Sequence, residues 1–124
     1  MMSDPAAARE AMNAEVARTK FQRKAVATGT MQEVMDDAIA FFKERGYRSG
    51  KTGRPNQIFV MGGREGAIPR VNAEILIQVN VGKGNATMVT ISGFGEELSK
   101  HLEAYTQHLR ETSRAARQAH SESE

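Results

Sequence analysis

The sequence lacks several residue types, and their absence excludes several kinds of chemistry. Among its 124 residues there is no cysteine and no tryptophan, and there are only three prolines. Without cysteine the chain cannot form disulfides, thiolate metal sites or a thiol nucleophile. A chain without disulfides fits a reducing compartment, so we expect a cytoplasmic location.

Long apolar runs are missing as well. No stretch approaches the roughly 18 consecutive apolar residues of a membrane helix, and the opening MMSDPAAARE has no apolar centre like that of a secretory signal. Hydrophobic residues make up 40% and charged residues 26% of the chain. This composition indicates a globular chain that neither lies within a membrane nor is disordered throughout.

One stretch has a clear β pattern. From Val71 to Val81 the odd positions are apolar, and apart from Leu76 the even positions are polar. This alternation predicts a strand with one apolar face, and Thr87, Val89 and Ile91 predict its hairpin partner. If both apolar sets face one way, an odd number of residues must connect the strands. We therefore predict a three-residue turn with Gly84 left-handed, and Val79 opposite Thr87 or Val89.

The clearest helix begins at Thr30. Thr30 and Glu33 match a capping box, and the apolar residues that follow recur at helical spacing. Gly46 supplies a left-handed C-terminal cap. A last helix carries the stripe Leu98, Leu102, Tyr105 and Leu109, which fails beyond Arg110.

The remaining segments complete an α+β order. Lys20–Thr28 predicts a short edge strand and Gln57–Met61 another strand, whereas Ser49–Asn56 is typical of a turn-rich loop. We predict an antiparallel sheet of three to four strands with two helices packed on one face, in the order strand-helix-strand-strand-strand-helix. An additional N-terminal helix is expected to be weakly held because its apolar side is thin.

These elements predict three segments. Residues 1–19 form a helical or frayed N-terminal segment, 20–110 a single α+β domain, and 111–124 the end of the last helix and a disordered tail. The order of elements over roughly residues 20 to 110 is similar in topology to small ribosome-associated and double-stranded-RNA-binding domains. No shared motif accompanies that similarity, so it carries no function.

Catalytic and metal-binding motifs are absent from the sequence. Gly93-Phe94-Gly95 lies between a strand and a helix, but Leu98 stands where a dinucleotide-binding motif needs glycine. His101 and His108 are separated by about 10 Å along a helix, which is too far to share one metal ion. We therefore expect a protein that is not an enzyme and holds no cofactor or metal.

Loop cations are the remaining candidates for a site. We predict that they contact phosphate or nucleic acid if their loops converge at one end of the sheet, and they are Arg48, Lys51, Arg54, Arg64 and Lys83. The polar face of the hairpin lacks the aromatic residues on which RNA-binding sheets stack bases.

Three functions fit these observations. The leading hypothesis is a small non-enzymatic interaction module that binds itself or another protein. The second is a basic RNA- or ribosome-associated domain that uses the five loop cations. The third is a small-ligand pocket between the sheet and the helices, lined by Met31, Met35, Phe41, Phe59 and Tyr105.

Overall fold

Three helices and five strands make up the chain, of which the computed structural model describes residues 4–122, with side chains for residues 4–118. In chain order they are α1 (Pro5–Arg18), β1 (Phe21–Ala27), α2 (Met31–Glu44), β2 (Arg48–Lys51), β3 (Gln57–Met61), β4 (Asn72–Val81), β5 (Ala86–Gly93) and α3 (Glu96–Glu122). The strands form one antiparallel sheet in the order β1-β5-β4-β3-β2. Among residues 4–122, no helix is both long and apolar enough to cross a membrane.

The α+β class and the antiparallel sheet are confirmed, but the number of strands is a correction. The sheet has five strands, because Arg48–Lys51 pairs with β3 where the sequence predicted a loop from Ser49 onwards. With four residues, this strand is too short to show a hydrophobic alternation. Its Gly50 leaves room for a neighbouring ring, since a Cβ there would lie 3.1 Å from the Phe59 ring. In the sequence, this glycine looks like part of a turn, so the segment was predicted as a loop.

Helices α2 and α3 cover one face of the sheet. That face presents the odd-numbered residues of β4 and β5, and Ile75, Ile77, Val89 and Ile91 are all 0% exposed. The predicted helix stripe completes the core, and all four of its residues are buried: Leu98, Leu102, Tyr105 and Leu109. Alternation in the strands and helical spacing in α3 therefore predicted the core correctly.

Helix α2 begins and ends where the sequence predicted. The Thr30 side chain accepts a hydrogen bond from the Glu33 N–H at 3.1 Å, and the Glu33 carboxylate accepts one from the Thr30 N–H at 3.0 Å. The Glu33 carboxylate accepts hydrogen bonds from Thr30, first from its backbone N–H and then from its side chain, and these hold the pKa of Glu33 below its ordinary value. Gly46 follows the helix with φ of +89°. Both predicted caps are confirmed.

The β4–β5 hairpin satisfies the predicted parity in an unexpected way. Ile77 lies opposite Val89, so the apolar residues face one side. The pair Val81–Ala86 closes a four-residue turn, and a bulge places Val79 and Asn80 opposite Thr87 alone. The predicted three-residue turn was therefore wrong. The turn has four residues, and the one extra residue that the bulge adds to β4 keeps the apolar residues of both strands on one face. Asn80 takes the left-handed conformation in this bulge, with φ of +57°.

Helix α1 is held mainly at its C-terminal end. The helix has no buried residue, and only Met12 and Val16 pack against the core. Thr19, just beyond it, is buried, and its hydroxyl accepts a hydrogen bond from the Gly95 N–H at 3.0 Å. The Thr19 carbonyl accepts another from the Ser99 hydroxyl at 2.9 Å. These bonds attach the end of α1 to the start of α3.

Helix α3 is longer than its apolar stripe. It continues to Glu122, and the sequence predicted the end of the helix and a tail over residues 111–124. Ser113 is buried on this extension, and its hydroxyl donates a hydrogen bond to the Val26 carbonyl at 2.8 Å. Because serine is polar, hydrophobic periodicity does not count Ser113 as part of the buried stripe. The stripe predicted from the sequence therefore ended one turn before the last contact between α3 and β1.

Candidate binding surfaces

Helices α2 and α3 leave the second face of the sheet uncovered. We call it the open face, and it consists of the even-numbered side chains of β1, β4 and β5 with the odd-numbered side chains of β3. Phe59, Leu76 and Met88 are half-buried on it, and Val26 is 44% exposed. The open face is therefore not uniformly polar.

These four apolar residues form a continuous diagonal. Met88 lies directly opposite Val26, and Leu76 lies directly opposite Thr90, two residues from Met88. Phe59 lies opposite Glu74, two residues from Leu76. Diagonal neighbours on one face of a sheet lie about 7–8 Å apart, within reach of long and aromatic side chains. We call Phe59, Leu76, Met88 and Val26 the apolar diagonal.

Mostly neutral polar groups border the apolar diagonal. Amide and hydroxyl side chains predominate there, and they belong to Gln22, Gln57, Asn72, Gln78, Thr90 and Ser92. The charges among β1, β4 and β5 on this face are Lys24 and Glu74, and Glu74 accepts a hydrogen bond from the Gln57 amide at 3.1 Å. Among β1, β4 and β5 this face thus presents one charge of each sign around an apolar centre.

Both edges of the sheet are poorly suited to pairing with another strand. On β1, the carbonyl oxygens of Gln22 and Val26 already accept hydrogen bonds from the side chains of Arg23 and Ser113. At the other edge, β2 spans only four residues. Occupied carbonyls and short edge strands both disfavour the addition of a strand.

The five predicted loop cations lie at two different ends of the sheet. Arg48 and Arg64 lie at the end where β1 begins, because β2 starts there and the β3–β4 connection follows Met61. Lys51, Arg54 and Lys83 lie toward the opposite end, where β2 ends and the β4–β5 turn closes. The structure therefore does not gather the five into one patch, and their contact with phosphate stays a prediction.

Smaller groupings exist within this set. Arg48 lines a pocket of about 260 Å³ together with Arg70. Lys51 Nζ donates to the Gln32 side chain at 3.3 Å, so it is tied to α2. Neither grouping brings more than two of the cations discussed here to one pocket.

The N-terminus of α3 is already occupied by an internal carboxylate. Glu65, in the β3–β4 connection, accepts hydrogen bonds from the Glu97 N–H at 2.8 Å and the Leu98 N–H at 3.2 Å. Free N–H groups at a helix start are what a phosphate would bind. Because Glu65 fills that position, the Gly93-Phe94-Gly95 segment connects β5 to α3 without offering those N–H groups to a phosphate.

Both described histidines lie between α2 and α3. His108 Nε2 is 2.9 Å from an oxygen of Asp37, and the His108 ring packs 5.3 Å from that of Phe41. His101 Nδ1 lies 3.3 Å from Arg45 Nη1. Within the part of the chain that the structure describes, no group of three acidic or histidine side chains is arranged to hold a metal. Both histidine side chains are half-buried in these positions.

The proposed ligand pocket between sheet and helices is not assembled as the sequence suggested. Met35 and Tyr105 are buried in the core beneath the helices, whereas Phe59 lies on the open face. The five side chains named for that pocket therefore do not line one cavity. Alternation along Gln57–Met61 already places the Phe59 side chain on the other face of the sheet from Ile58 and Val60, and this signal was available in the sequence.

The sequence reasoning missed a groove beside β1. It has a volume of about 460 Å³ and lies between β1, β5 and the second half of α3, where Lys24, Arg110, Arg114 and Arg117 line it. The helical spacing of the three arginines was visible in the sequence, but the segment beyond Arg110 was assigned to the end of the last helix and a tail. Comparisons with protein-family models, with curated proteins and with solved structures found no match for this chain.

Proposed function

We propose that this protein is a non-enzymatic interaction module that binds a second copy of itself through the open face. The observation that carries the proposal is the apolar diagonal, which crosses four of the five strands and remains partly accessible. Apolar side chains aligned across one uncovered sheet face gain free energy when a second surface removes them from water.

The chemistry of the open face favours a second copy over a charged partner. In a two-fold symmetric interface the same patch occurs on both sides, so its groups must pair with their own kind. Amides and hydroxyls can both donate and accept hydrogen bonds, and they surround the apolar diagonal. Lys24 and Glu74 carry opposite charges, so two copies can meet without a large excess of either sign.

Face-to-face association also agrees with the state of the sheet edges. Strand addition needs free backbone groups along an edge, and β1 has two of its carbonyls occupied by Arg23 and Ser113. Two sheets that pack face to face need no such groups. They lie about 10 Å apart, and their side chains interdigitate in the space between them. The open face is therefore the better candidate for self-association.

Light scattering coupled to size exclusion tests the proposal over a range of protein concentrations. We expect the full chain to have twice its single-chain mass and the Leu76→Lys variant to have the single-chain mass. Leu76 projects from the open face, so a lysine there places charge at the centre of the interface without entering the core. Gln107→Lys is the matched control, since Gln107 is exposed on α3 and the added charge is the same.

The mass of the unmodified chain decides the proposal. A single-chain mass at every concentration would refute it, as would a dimer that Leu76→Lys leaves intact while thermal unfolding shows that the variant is folded. Loss of the dimer in both variants would attribute the effect to net charge and would also contradict the role of the open face.

A further inference from the structure

We propose that the groove beside β1 is a binding site for a small organic anion that has an apolar body and a phosphate or carboxylate head group. Four cationic side chains line it, and none of the described residues that line it is acidic. Its volume of about 460 Å³ lies within the range of about 300–1,000 Å³ that is typical of small-molecule sites. Lys24, Val26 and Met88 also belong to the open face, but Arg110, Arg114 and Arg117 do not, so the arginine variants test this site independently of the proposed dimer.

The cations come from two elements and converge across the groove. Arg110, Arg114 and Arg117 follow one another at four- and three-residue spacing, so they share one face of α3 over about 10 Å of its axis. Lys24 projects from β1 on the other side of the groove. Among the described residues, none of these four side chains forms an ion pair, so their charge is available to a ligand.

Arginine gives the site a preference for flat oxyanions. Its guanidinium group presents paired N–H donors that match the two oxygens of a carboxylate or phosphate. Three such groups around one groove are able to hold a head group from more than one direction. The negative end of the α3 dipole favours cations near Glu122, but it does not explain why three of them line the same groove as Lys24.

The floor of the groove supplies the apolar part of the site. Ala25, Val26 and Met88 line it, and Val26 is 44% exposed. The Ser113 hydroxyl donates its hydrogen to the Val26 carbonyl, which removes that carbonyl oxygen as an acceptor facing the groove. A ligand that is anionic throughout would leave this floor unused, so the floor favours an apolar body over a phosphate chain.

Titration calorimetry with 1-naphthyl phosphate tests the assignment. We expect saturable binding that is tighter than that of 1-naphthol, which lacks the charge, and tighter than that of inorganic phosphate, which lacks the apolar body. A parallel titration with 1-naphthoate identifies the preferred head group. Each of Arg110→Gln and Arg114→Gln should weaken binding about five- to tenfold, since a hydrogen bond between charged groups contributes roughly this much when it is partly screened.

Two further variants separate the site from general electrostatics. Arg9→Gln removes the same charge from an exposed position on α1, outside the groove, and should leave binding unchanged. Val26→Thr should weaken the binding of 1-naphthyl phosphate and leave that of inorganic phosphate unaltered, because it makes the floor more polar and keeps all four cations. Val26 also belongs to the apolar diagonal, so the mass of this variant is measured alongside its binding. Circular dichroism of every variant checks that the chain is folded.

Several results would overturn the proposal. These are no saturable binding of either naphthyl anion, inorganic phosphate binding as tightly as 1-naphthyl phosphate, and no loss of affinity in a folded Arg110→Gln/Arg114→Gln double variant. An eight-nucleotide single-stranded RNA that binds more tightly than 1-naphthyl phosphate and depends on the same arginines would also overturn it, in favour of nucleic acid.

Discussion

An oxygen of the Glu65 carboxylate lies 2.8 Å from the backbone nitrogen of Glu97 and caps the start of α3. The two residues are 32 positions apart in the chain, so this cap belongs to the tertiary structure and not to a local motif. It joins the β3–β4 connection to the longest helix. The first prediction concerns the stability that this contact provides.

Glu65→Ala should lower the free energy of unfolding by about 1–2 kcal/mol, because two N–H groups at the helix start lose their acceptor. Glu65→Gln should cost less, since one amide oxygen remains as an acceptor. Urea unfolding measures both values, with Glu10→Ala on the exposed face of α1 as the control. Equal stability of Glu65→Ala and the unmodified chain would show that the cap contributes nothing.

Glu33 predicts an acid dependence of stability. Its pKa is lower in the folded chain than its ordinary value of 4.5, because the carboxylate accepts hydrogen bonds from Thr30. A lowered pKa means that the contribution is present above about pH 4.5 and is lost as pH falls through the folded pKa. Glu33→Gln should therefore be less stable than the unmodified chain at pH 7, and the difference should shrink below about pH 4.

Thermal unfolding between pH 3 and 7 measures this difference, and Glu10→Gln serves as the exposed control. A difference that stays constant over the whole range would mean that the charge of Glu33 makes no contribution to the cap.

Tyr105 predicts a stabilising substitution. Its side chain is 0% exposed, and its hydroxyl has no hydrogen-bond partner among the described residues. A buried hydroxyl without a partner costs about 1–3 kcal/mol in mutational studies. Tyr105→Phe keeps the ring contacts with Phe41 and Phe42, so we expect the free energy of unfolding to rise by about 1 kcal/mol.

The same substitution should alter the response to alkali. Burial raises the pKa of Tyr105, with a smaller contribution from the charge of Asp37. The unfolded chain therefore releases this proton above about pH 10 while the folded chain retains it, and stability falls as pH rises. Tyr105→Phe should remove the part of this loss of stability that Tyr105 causes. The part that Tyr47 causes should remain, because the pKa of Tyr47 is raised by burial and then by Glu65 and Glu97.

Chemical denaturation at pH 8 and pH 10.5 measures both effects of Tyr105→Phe. A variant that is less stable at pH 8 would show that the hydroxyl is satisfied in solution.

Gly93 is required by the close approach of two strands. It pairs with both Phe21 and Ala73, and a Cβ added to it would lie 2.5 Å from the Ala73 Cβ and 2.8 Å from the Asn72 carbonyl oxygen. Gly93→Ala should therefore cost about 3 kcal/mol, because the backbone must shift to relieve the clash. Gly84→Ala is the matched control, since a Cβ there meets nothing within 4 Å.

Differential scanning calorimetry compares these two glycine variants. Equal melting temperatures for Gly93→Ala and Gly84→Ala would refute the tight packing at Gly93.

The candidate surfaces were less accessible to sequence reasoning than the core. Val26, Leu76 and Phe59 were each visible as apolar residues, but only the pairing of four strands aligns them with Met88 into one diagonal. The arginines beyond Leu109 were visible as a helical series, but their function depends on the position of β1 beside them. Pairwise patterns within one element do not report which elements become neighbours.

The sequence by itself determined the elements that depend on short-range physics. Alternation defined β4 and β5, the Thr30–Glu33 capping box defined the start of α2, and the stripe from Leu98 to Leu109 defined the buried side of α3. Each signal involves residues within a few positions of one another, so it is present before the chain folds.

Only the tertiary structure decided how these elements meet. It converted Arg48–Lys51 into a strand, offset an even turn with a bulge at Val79 and Asn80, and brought Glu65 to the start of α3. Each of these features depends on a partner strand or helix that is distant in sequence. The open face and the groove beside β1 arise in the same way, because a surface exists only after neighbouring elements have packed.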